Sequence, residues 1–205
     1  MSLSRGYFEE LYTTSPDPWG FRIRAYERRK YAITLAALPR ERYRRAFEPG
    51  CSIGVLTGML AKRVDVLLAS DISPTAIAIA ERADLPDNVE LAVRTVPQDW
   101  PDGSLDLIVV SELGYYFDPD DLNQFIARAT NSLNDDGHLI AVHWRTPVPD
   151  YPSDAAAVHR RLLASELKPL AHYEDDHFVL DVLGARSAAC LIGPEDESGT
   201  NDEEA

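Results

Sequence analysis

The sequence predicts an α/β protein with a doubly wound, mostly parallel sheet in a three-layer sandwich. From Arg44 onward, short apolar segments typical of strands alternate with segments that carry helix-capping residues. The segment 105–111 is an almost unbroken apolar run, as is typical of a strand covered on both faces. Because strand–helix–strand connections are right-handed, this alternation predicts helices on both sides of one sheet.

The elements follow from local patterns. Helices are predicted first at 5–14 and 21–38, around a proline-rich turn that contains Trp19. In the core, Ser73-Pro74 and Asp118-Pro119 are typical N-caps followed by proline in the first turn. A turn at 134–137 leads into a fifth strand, and the last two strands form a hairpin. The predicted strands are 44–48, 66–71, 89–94, 105–111, 138–143, 167–173 and 178–185, and the core helices are 53–63, 75–83, 118–133 and 154–166.

We expect three segments in the chain. Residues 1–43 form a helical cap or lid, and residues 44–192 form the core, with which the cap makes one domain. Residues 193–205 form an acidic tail that we expect to be disordered, because it has almost nothing apolar to bury.

Composition narrows the classes of function. The net charge of −14 argues against nonspecific nucleic-acid binding. No apolar run approaches the roughly 20 residues of a membrane helix, and the first residues lack the apolar core of a signal peptide. Cys51 and Cys190 have no metal-ligand spacing, which favours a reduced, cytoplasmic setting. We therefore expect a cytoplasmic monomer or homodimer with a small-molecule substrate, without nucleic-acid, membrane or metal partners.

The segment Glu48-x-Gly50-x-x-x-Gly54 is the most informative motif. It lies where the first core strand turns into a helix, and Asp71 closes the next strand. Glycines let the backbone approach a ligand, and a carboxylate at the second strand tip can accept hydrogen bonds from ribose hydroxyls. The pair predicts a site for an adenosine-type cofactor.

Three kinds of nucleotide site compete for this turn. A P-loop needs Lys-Ser/Thr after its last glycine, and this turn has neither. A dinucleotide site needs three glycines and would place Glu48 where it repels a pyrophosphate. That carboxylate suits a cationic ligand such as S-adenosylmethionine. A nicotinamide-dependent oxidoreductase stays open as an alternative, which a comparison of cofactor binding would decide.

With these motifs, and with 102–112, the chain resembles the class I, seven-stranded S-adenosylmethionine-dependent methyltransferases. Within that class it is similar to the NodS-like group, named for a nodulation N-methyltransferase that acts on an amino sugar; segments 17–19, 26–31, 111–116 and 143–145 carry this similarity. The resemblance implies a Rossmann-like methyltransferase fold whose sheet ends in an antiparallel hairpin. It also implies S-adenosylmethionine as cofactor and S-adenosylhomocysteine as product.

The resemblance also implies the cofactor-binding residues. Asp99 is a stand-in for the acidic residue that contacts the adenine amino group in this class. Arg24, Arg28 and Lys30 form either a solvated basic helix face or a clamp on a ligand. The expected cofactor-binding residues are Trp19, Arg28, Glu48, Gly50, Cys51, Ser52, Gly54, Asp71, Ile72, Thr95, Val96 and Ser111.

Glu112, Tyr115 and His143 are the candidate catalytic residues. Polar side chains at the carboxyl ends of strands four and five are placed for proton handling beside a cofactor. His143 is otherwise a structural histidine and Glu112 a loop carboxylate, and Arg145 and His159 are further candidates.

The predicted activity is methyl transfer from S-adenosylmethionine to a small molecule, at an amine nitrogen, with an amino sugar as the acceptor that the resemblance suggests. The alternatives are a small-molecule O-methyltransferase and a cofactor-binding protein without turnover. The N-terminal segment is expected to close after the cofactor binds.

Overall fold

The computed structural model describes residues 1–190 and residue 192. It contains a seven-stranded sheet in the order β3-β2-β1-β4-β5-β7-β6, in which β7 runs antiparallel to the other six strands. The strands are β1 Tyr43–Pro49, β2 Val64–Asp71, β3 Val89–Val93, β4 Leu105–Ser111, β5 Leu133–Trp144, β6 Lys168–Glu174 and β7 Phe178–Gly184. The helices are α1 Arg5–Thr14, α2 Ala25–Ala36, α3 Val55–Leu60, α4 Pro74–Ala80, α5 Pro119–Ser132 and α6 Ala155–Leu163. The predicted fold class, including the terminal hairpin, is confirmed.

Strand β1 pairs in parallel with both β2 and β4, so the order of the strands reverses beside it. In doubly wound sheets a crevice opens at such a reversal, outside the carboxyl ends of the strands. The topology therefore places the glycine turn after β1 at the mouth of that crevice.

The core covers both faces of the sheet. Along β4, Ile108 and Val110 pack into one apolar layer, and Leu107 and Val109 pack into the other. Successive strand residues point to opposite faces of the sheet. Because both faces are covered, all four side chains are fully or almost fully buried. A strand covered in this way holds the residues at its end rigidly.

The two N-caps predicted in the core are present. Ser73 Oγ accepts a hydrogen bond from the Ala76 amide at 3.0 Å, and the Asp118 carboxylate accepts from the Asp120 and Asp121 amides at 3.0 Å. These bonds satisfy amides that the first helical turn leaves without partners.

Two boundaries differ from prediction by more than three residues. Helix α2 begins at Ala25 instead of Phe21, because the Asp17 carboxylate accepts hydrogen bonds from the Phe21 and Arg22 amides and holds that segment in turns. Strand β5 begins at Leu133 instead of His138. The predicted turn at 134–137 is an irregularity inside β5, where pairing with β4 jumps from Leu133 to His138.

The N-terminal helices lie across the carboxyl edge of the sheet. Phe8 and Tyr12 of α1 belong to the same apolar cluster as Phe47 of β1. The Glu9 carboxylate accepts hydrogen bonds from the Thr75 amide at 3.1 Å and from its hydroxyl at 2.8 Å, at the start of α4. These contacts place helix α1 over the ends of β1 and β2.

Among residues 1–190 and 192, no helix is both long enough and apolar enough to traverse a bilayer. The predicted acidic tail at 193–205 lies outside the described residues.

Candidate active site

A cavity of about 560 Å³ lies at the carboxyl edge of the sheet, beneath the N-terminal helices. Its floor is formed by residues at the ends of β1 to β5, and its roof includes Tyr12, Trp19 and Tyr31. Neighbouring strands lie about 4.8 Å apart, so the four strand spacings from β3 to β5 span roughly 19 Å. The cavity is long enough to be considered in two halves.

The two halves are defined by their residues. The β1–β3 half contains Glu48, Gly50, Asp71, Ile72, Thr95 and Val96, and the β4–β5 half contains Glu27, Lys30, Glu112, Tyr115, Trp144 and Tyr151.

The glycine turn brings backbone to the cavity wall. Gly50 has a φ of +73°, and a Cβ at this position would lie 3.2 Å from Leu113 Cδ1. The Cys51 amide donates to the Ser70 carbonyl at 2.8 Å, which ties the turn to the end of β2. A left-handed residue pressed against a neighbouring side chain explains why glycine is needed at position 50.

Asp71 joins the turn to helix α4. Its Oδ2 accepts from the Ser52 amide and its Oδ1 from the Ser73 amide, both at 2.9 Å. Burial raises the pKa of Asp71 to about 6, although these amide bonds oppose the rise. The carboxylate lines the cavity, and each oxygen retains a lone pair for a further donor.

Glu48 is the most unusual group in the β1–β3 half. It is 2% exposed, and its Oε2 has no hydrogen-bond partner. Burial, opposed by Thr57 and assisted by the nearby Asp71, raises the pKa of Glu48 to about 8. A buried carboxylate oxygen without a partner is costly, and a cationic ligand would remove that cost.

Ile72, Thr95 and Val96, which are predicted to contact adenine, line the far end of this half. Asp99 does not line the cavity; it pairs with Arg94 at 2.7 Å, so the structure does not support it as the acidic adenine contact. Asp121, at the start of α5, is a carboxylate that does line this end.

In the β4–β5 half, Glu112 is held by three donors. Lys30 Nζ lies 2.6 Å from its Oε1, while its Oε2 accepts from the Trp144 amide at 3.0 Å and from the Tyr115 hydroxyl. Glu112 has a φ of +56°, a strained conformation for a residue with a side chain. Glu112 is therefore an anchored carboxylate that orients Tyr115 and Lys30.

Sequence reasoning missed the role of Lys30 and Glu27. Lys30 is 1% exposed, and its Nζ also lies 2.9 Å from Glu27 Oε2 and 4.9 Å from the centre of the Tyr26 ring. Glu27 lines the cavity, and its pKa is raised by burial despite the neighbouring Lys30. The sequence shows that Glu27 and Lys30 lie three residues apart in one predicted helix. It does not show that Lys30 also meets Glu112, which is 82 residues away from it.

Three predicted site residues do not line the cavity. His143 is fully buried behind it and accepts a hydrogen bond from the Gly114 amide at 2.9 Å. Gly54 is the N-cap of α3 and faces Ala80 and Leu85. Arg28 turns back to donate to the Ile23 carbonyl at 2.8 Å.

The structure brings the other predicted residues together. Of the basic side chains considered at 24, 28 and 30, Arg24 and Lys30 line the cavity. Trp19 does so too, with its ring stacked 5.6 Å from that of Phe21. The predicted site residues that line the cavity are Trp19, Glu48, Gly50, Cys51, Ser52, Asp71, Ile72, Thr95, Val96, Ser111, Glu112 and Tyr115.

Comparison with known proteins agrees with this geometry. A family model described as a methyltransferase domain matches residues 46–137. The crystal structure of a "putative methyltransferase" from Pseudomonas syringae is 44% identical, with 78% of this chain and 99% of that chain covered and a TM-score of 0.68. The chain belongs to the methyltransferase family. Its fold is that of the class I, S-adenosylmethionine-dependent enzymes, and it is NodS-like in architecture.

Two further solved structures have a fold similar to that of this methyltransferase. The N-methyltransferase NodS from Bradyrhizobium japonicum, in complex with S-adenosylhomocysteine, is 22% identical with a TM-score of 0.80, and 89% of this chain and 99% of that chain are covered. The 1,6-didemethyltoxoflavin N1-methyltransferase from Burkholderia thailandensis is 18% identical with a TM-score of 0.70, and 88% of this chain and 86% of that chain are covered. A search among curated proteins gave no match.

The β1–β3 half of the methyltransferase fits S-adenosylmethionine. The sulfonium and ammonium groups of this cofactor are cationic, and Glu48, whose buried Oε2 has no hydrogen-bond partner, lines the cavity that would receive them. Asp71 offers lone pairs to ribose hydroxyls, and Ile72 and Val96 offer apolar surface to adenine.

Proposed function

We propose that this methyltransferase transfers the methyl group of S-adenosylmethionine to the nitrogen of a small amine. The observation that carries this proposal is the composition of the β4–β5 half. It contains the carboxylates Glu27 and Glu112 and aromatic rings, and the charge of its lysine is already shared by those two carboxylates. Such surroundings attract an ammonium ion through carboxylates and ring faces, and they oppose an anionic acceptor.

Cofactor binding is assigned to the β1–β3 half together with the roof. Gly50, Cys51 and Ser52 supply backbone, Glu48 receives positive charge and Asp71 receives the ribose. Ser111, at the end of β4, lies between the two halves. When bound, S-adenosylmethionine supplies an electrophilic methyl group, so the main task of the protein is alignment of the acceptor.

The rings of the β4–β5 half align the acceptor. Tyr115 and Tyr151 are stacked with centroids 5.5 Å apart, and Trp144 is 37% exposed beside them. The hydroxyl of Tyr115 is fixed by Glu112. Flat or ring-shaped acceptors can pack against these faces, and the NodS resemblance makes an amino sugar our first candidate.

We assign proton removal from the acceptor to Glu27. An amine attacks only when its lone pair is free, so an ammonium ion must lose a proton in the cavity. Glu27 lines this half and burial raises its pKa, which makes it a stronger base than an ordinary carboxylate. Glu112 has three donors and is less available.

A panel of acceptors tests the activity. The enzyme is incubated with S-adenosylmethionine and amino sugars, heteroaromatic amines, phenols or carboxylic acids, and S-adenosylhomocysteine and a methylated product are measured by mass spectrometry. We expect amines to be methylated. Methylation restricted to phenols or acids would show an O-methyltransferase, and cofactor binding without any turnover would show a non-catalytic protein.

The variant Glu27→Gln tests the assigned base. We expect kcat to fall by about 10²-fold or more at neutral pH, with partial recovery at high pH, where more of the amine is neutral in solution. Glu10→Gln, on the exposed side of α1, is the control. An unchanged kcat in folded Glu27→Gln would remove Glu27 from proton transfer.

A further inference from the structure

A chain of buried polar side chains leads from Gly114 into the opposite side of the core. The Gly114 amide donates to His143 Nε2 at 2.9 Å, and His143 Nδ1 lies 3.0 Å from His159 Nε2. His159 Nδ1 lies 2.5 Å from Asp181 Oδ2, and His172 Nδ1 lies 2.7 Å from Asp181 Oδ1. His143, His159 and Asp181 are each at most 4% exposed.

The outer end of this chain reaches a second cavity of about 550 Å³, separate from the active-site cavity. His159, His172 and Asp181 line it. His172 is 54% exposed, so solvent meets the chain at that residue. The four residues come from β5, α6, β7 and β6, and the chain therefore crosses the antiparallel part of the sheet.

The contacts permit one arrangement of protons while both buried histidines are neutral. An amide always donates, so His143 Nε2 must be the acceptor and His143 Nδ1 must carry the proton. That proton is donated to His159 Nε2, so the proton of His159 is on Nδ1 and is donated to Asp181. Asp181 is ionised: burial opposes its ionisation, but hydrogen bonds from His159 and His172 lower its pKa.

The inner end of the chain fixes a crowded turn in the active site. A Cβ on Gly114 would lie 2.6 Å from Val158 Cγ1 and 3.0 Å from His143 Nε2. Glu112, two residues earlier, is in a strained left-handed conformation, and Tyr115 follows directly. The bond to His143 is the hydrogen bond that holds this amide against the interior of the protein.

We propose that His143, His159 and Asp181 are positioning residues, which hold the Gly114 turn so that Glu112 and Tyr115 keep their places beside the acceptor. This inference rests on the proposed function. His143 does not line the active-site cavity, so it acts through Gly114 and does not contact substrate.

The charged groups around His143, His159 and Asp181 favour this proton arrangement. Burial lowers the pKa of His143 well below its ordinary value, and His159 and Lys30 lower it further. At the outer end, Asp181 and Glu174 raise the pKa of His172, and Arg145 and Arg160 line the same cavity. Protonation of His143 Nε2 would place two donors face to face at Gly114, so His143 must stay neutral for the turn to hold.

Nitrogen NMR of the ¹⁵N-histidine-labelled full chain tests the arrangement without any acceptor. We expect His143 and His159 both to be neutral at pH 7 with the proton on Nδ1, and the Gly114 amide to exchange slowly with solvent. A proton on His143 Nε2, or a fast-exchanging Gly114 amide, would overturn the proposal even if the enzyme methylates amines.

Matched variants test the catalytic consequence. His143→Met removes the acceptor for the Gly114 amide, whereas His143→Gln retains an acceptor at similar reach. We expect kcat to fall about ten- to hundredfold in His143→Met, with KM for S-adenosylmethionine unchanged, and to recover largely in His143→Gln. Lys168→Ala, at an exposed position of β6 outside this network, should retain the wild-type kcat.

The results separate the two claims. Equal kcat values for folded His143→Met and wild type would overturn the positioning role. If wild type methylates no acceptor, the proposed function fails, and the histidine protonation states and Gly114 exchange in His143→Met against His143→Gln still decide the inference.

Discussion

At the residue scale, the site is defined by carboxylates in environments that oppose their charge. Glu48 and Asp71 lie at the ends of neighbouring strands, with relative exposures of 2% and 7%. Both pKa values are raised above the ordinary range, chiefly by burial. Groups perturbed in this way are typical of ligand sites, because a bound ligand can supply the opposite charge.

These two pKa values predict how stability depends on pH without cofactor. Burial raises the pKa of Glu48 from 4.5 to about 8 and that of Asp71 from 3.8 to about 6. At a pH between its unfolded and folded pKa values, each carboxyl group keeps in the folded state a proton that it releases in the unfolded chain. The free energy of unfolding therefore falls as pH rises from about 4 to 8. Each group contributes at most about 1.4 kcal/mol per pH unit.

Urea denaturation at pH 5.5, 6.5 and 7.5 measures this slope. The variant Glu48→Gln cannot ionise and should show a shallower fall than wild type, while Glu41→Gln, at an exposed position, should match wild type. Identical slopes for Glu48→Gln and wild type would show that Glu48 is ionised in the folded protein.

Cofactor binding should lower the pKa of Glu48 from its raised value. A cationic ligand stabilises the carboxylate, so binding near pH 7 should release up to about one proton. Calorimetric titration in phosphate and in Tris, which differ in ionisation enthalpy, measures the release. Glu48→Gln should release fewer protons, and a wild-type binding enthalpy independent of buffer would show that binding releases no proton.

At the element scale, local sequence patterns predicted the parts that local chemistry determines. The Ser73 and Asp118 caps, the glycine turn after β1 and the apolar β4 all depend on residues close together in the chain. Two roles depend on distant partners and were not predicted: His143 faces α6, and Lys30 meets Glu112. The local role of Asp17, which delays the start of α2 through the Phe21 and Arg22 amides, was also not predicted.

Helices α1 and α2 are the elements for which we propose movement. They roof the cavity, and Tyr12 donates to Ser52 Oγ at 2.5 Å across it. If this roof closes on the cofactor, trypsin cleavage after the exposed Arg22 should slow when S-adenosylmethionine is added.

The proteolysis control is cleavage after Arg186, an exposed residue far along the chain beyond β7, which should not change. Equal protection of residues 1–30 with and without cofactor would contradict closure of the N-terminal segment on cofactor binding.

At the scale of the whole molecule, the alternation of strands and helices predicted a doubly wound sheet, and a doubly wound sheet predicts a crevice beside β1. The division of the crevice into a cofactor half and an acceptor half could not be predicted, because it depends on which helix residues cover each strand end. Glu27 and Trp144 illustrate this, since they line the same half although they are 117 positions apart in sequence.

The Glu48–Gly54 turn is the segment to which we assign S-adenosylmethionine binding. Calorimetric titration of the full chain with S-adenosylmethionine, S-adenosylhomocysteine and NAD tests this assignment. We expect binding of both adenosyl ligands and none of NAD, with a thermal stabilisation of about 2.7 kcal/mol at a hundredfold excess over Kd. No response to the adenosyl ligands, or a response to NAD in their place, would contradict it.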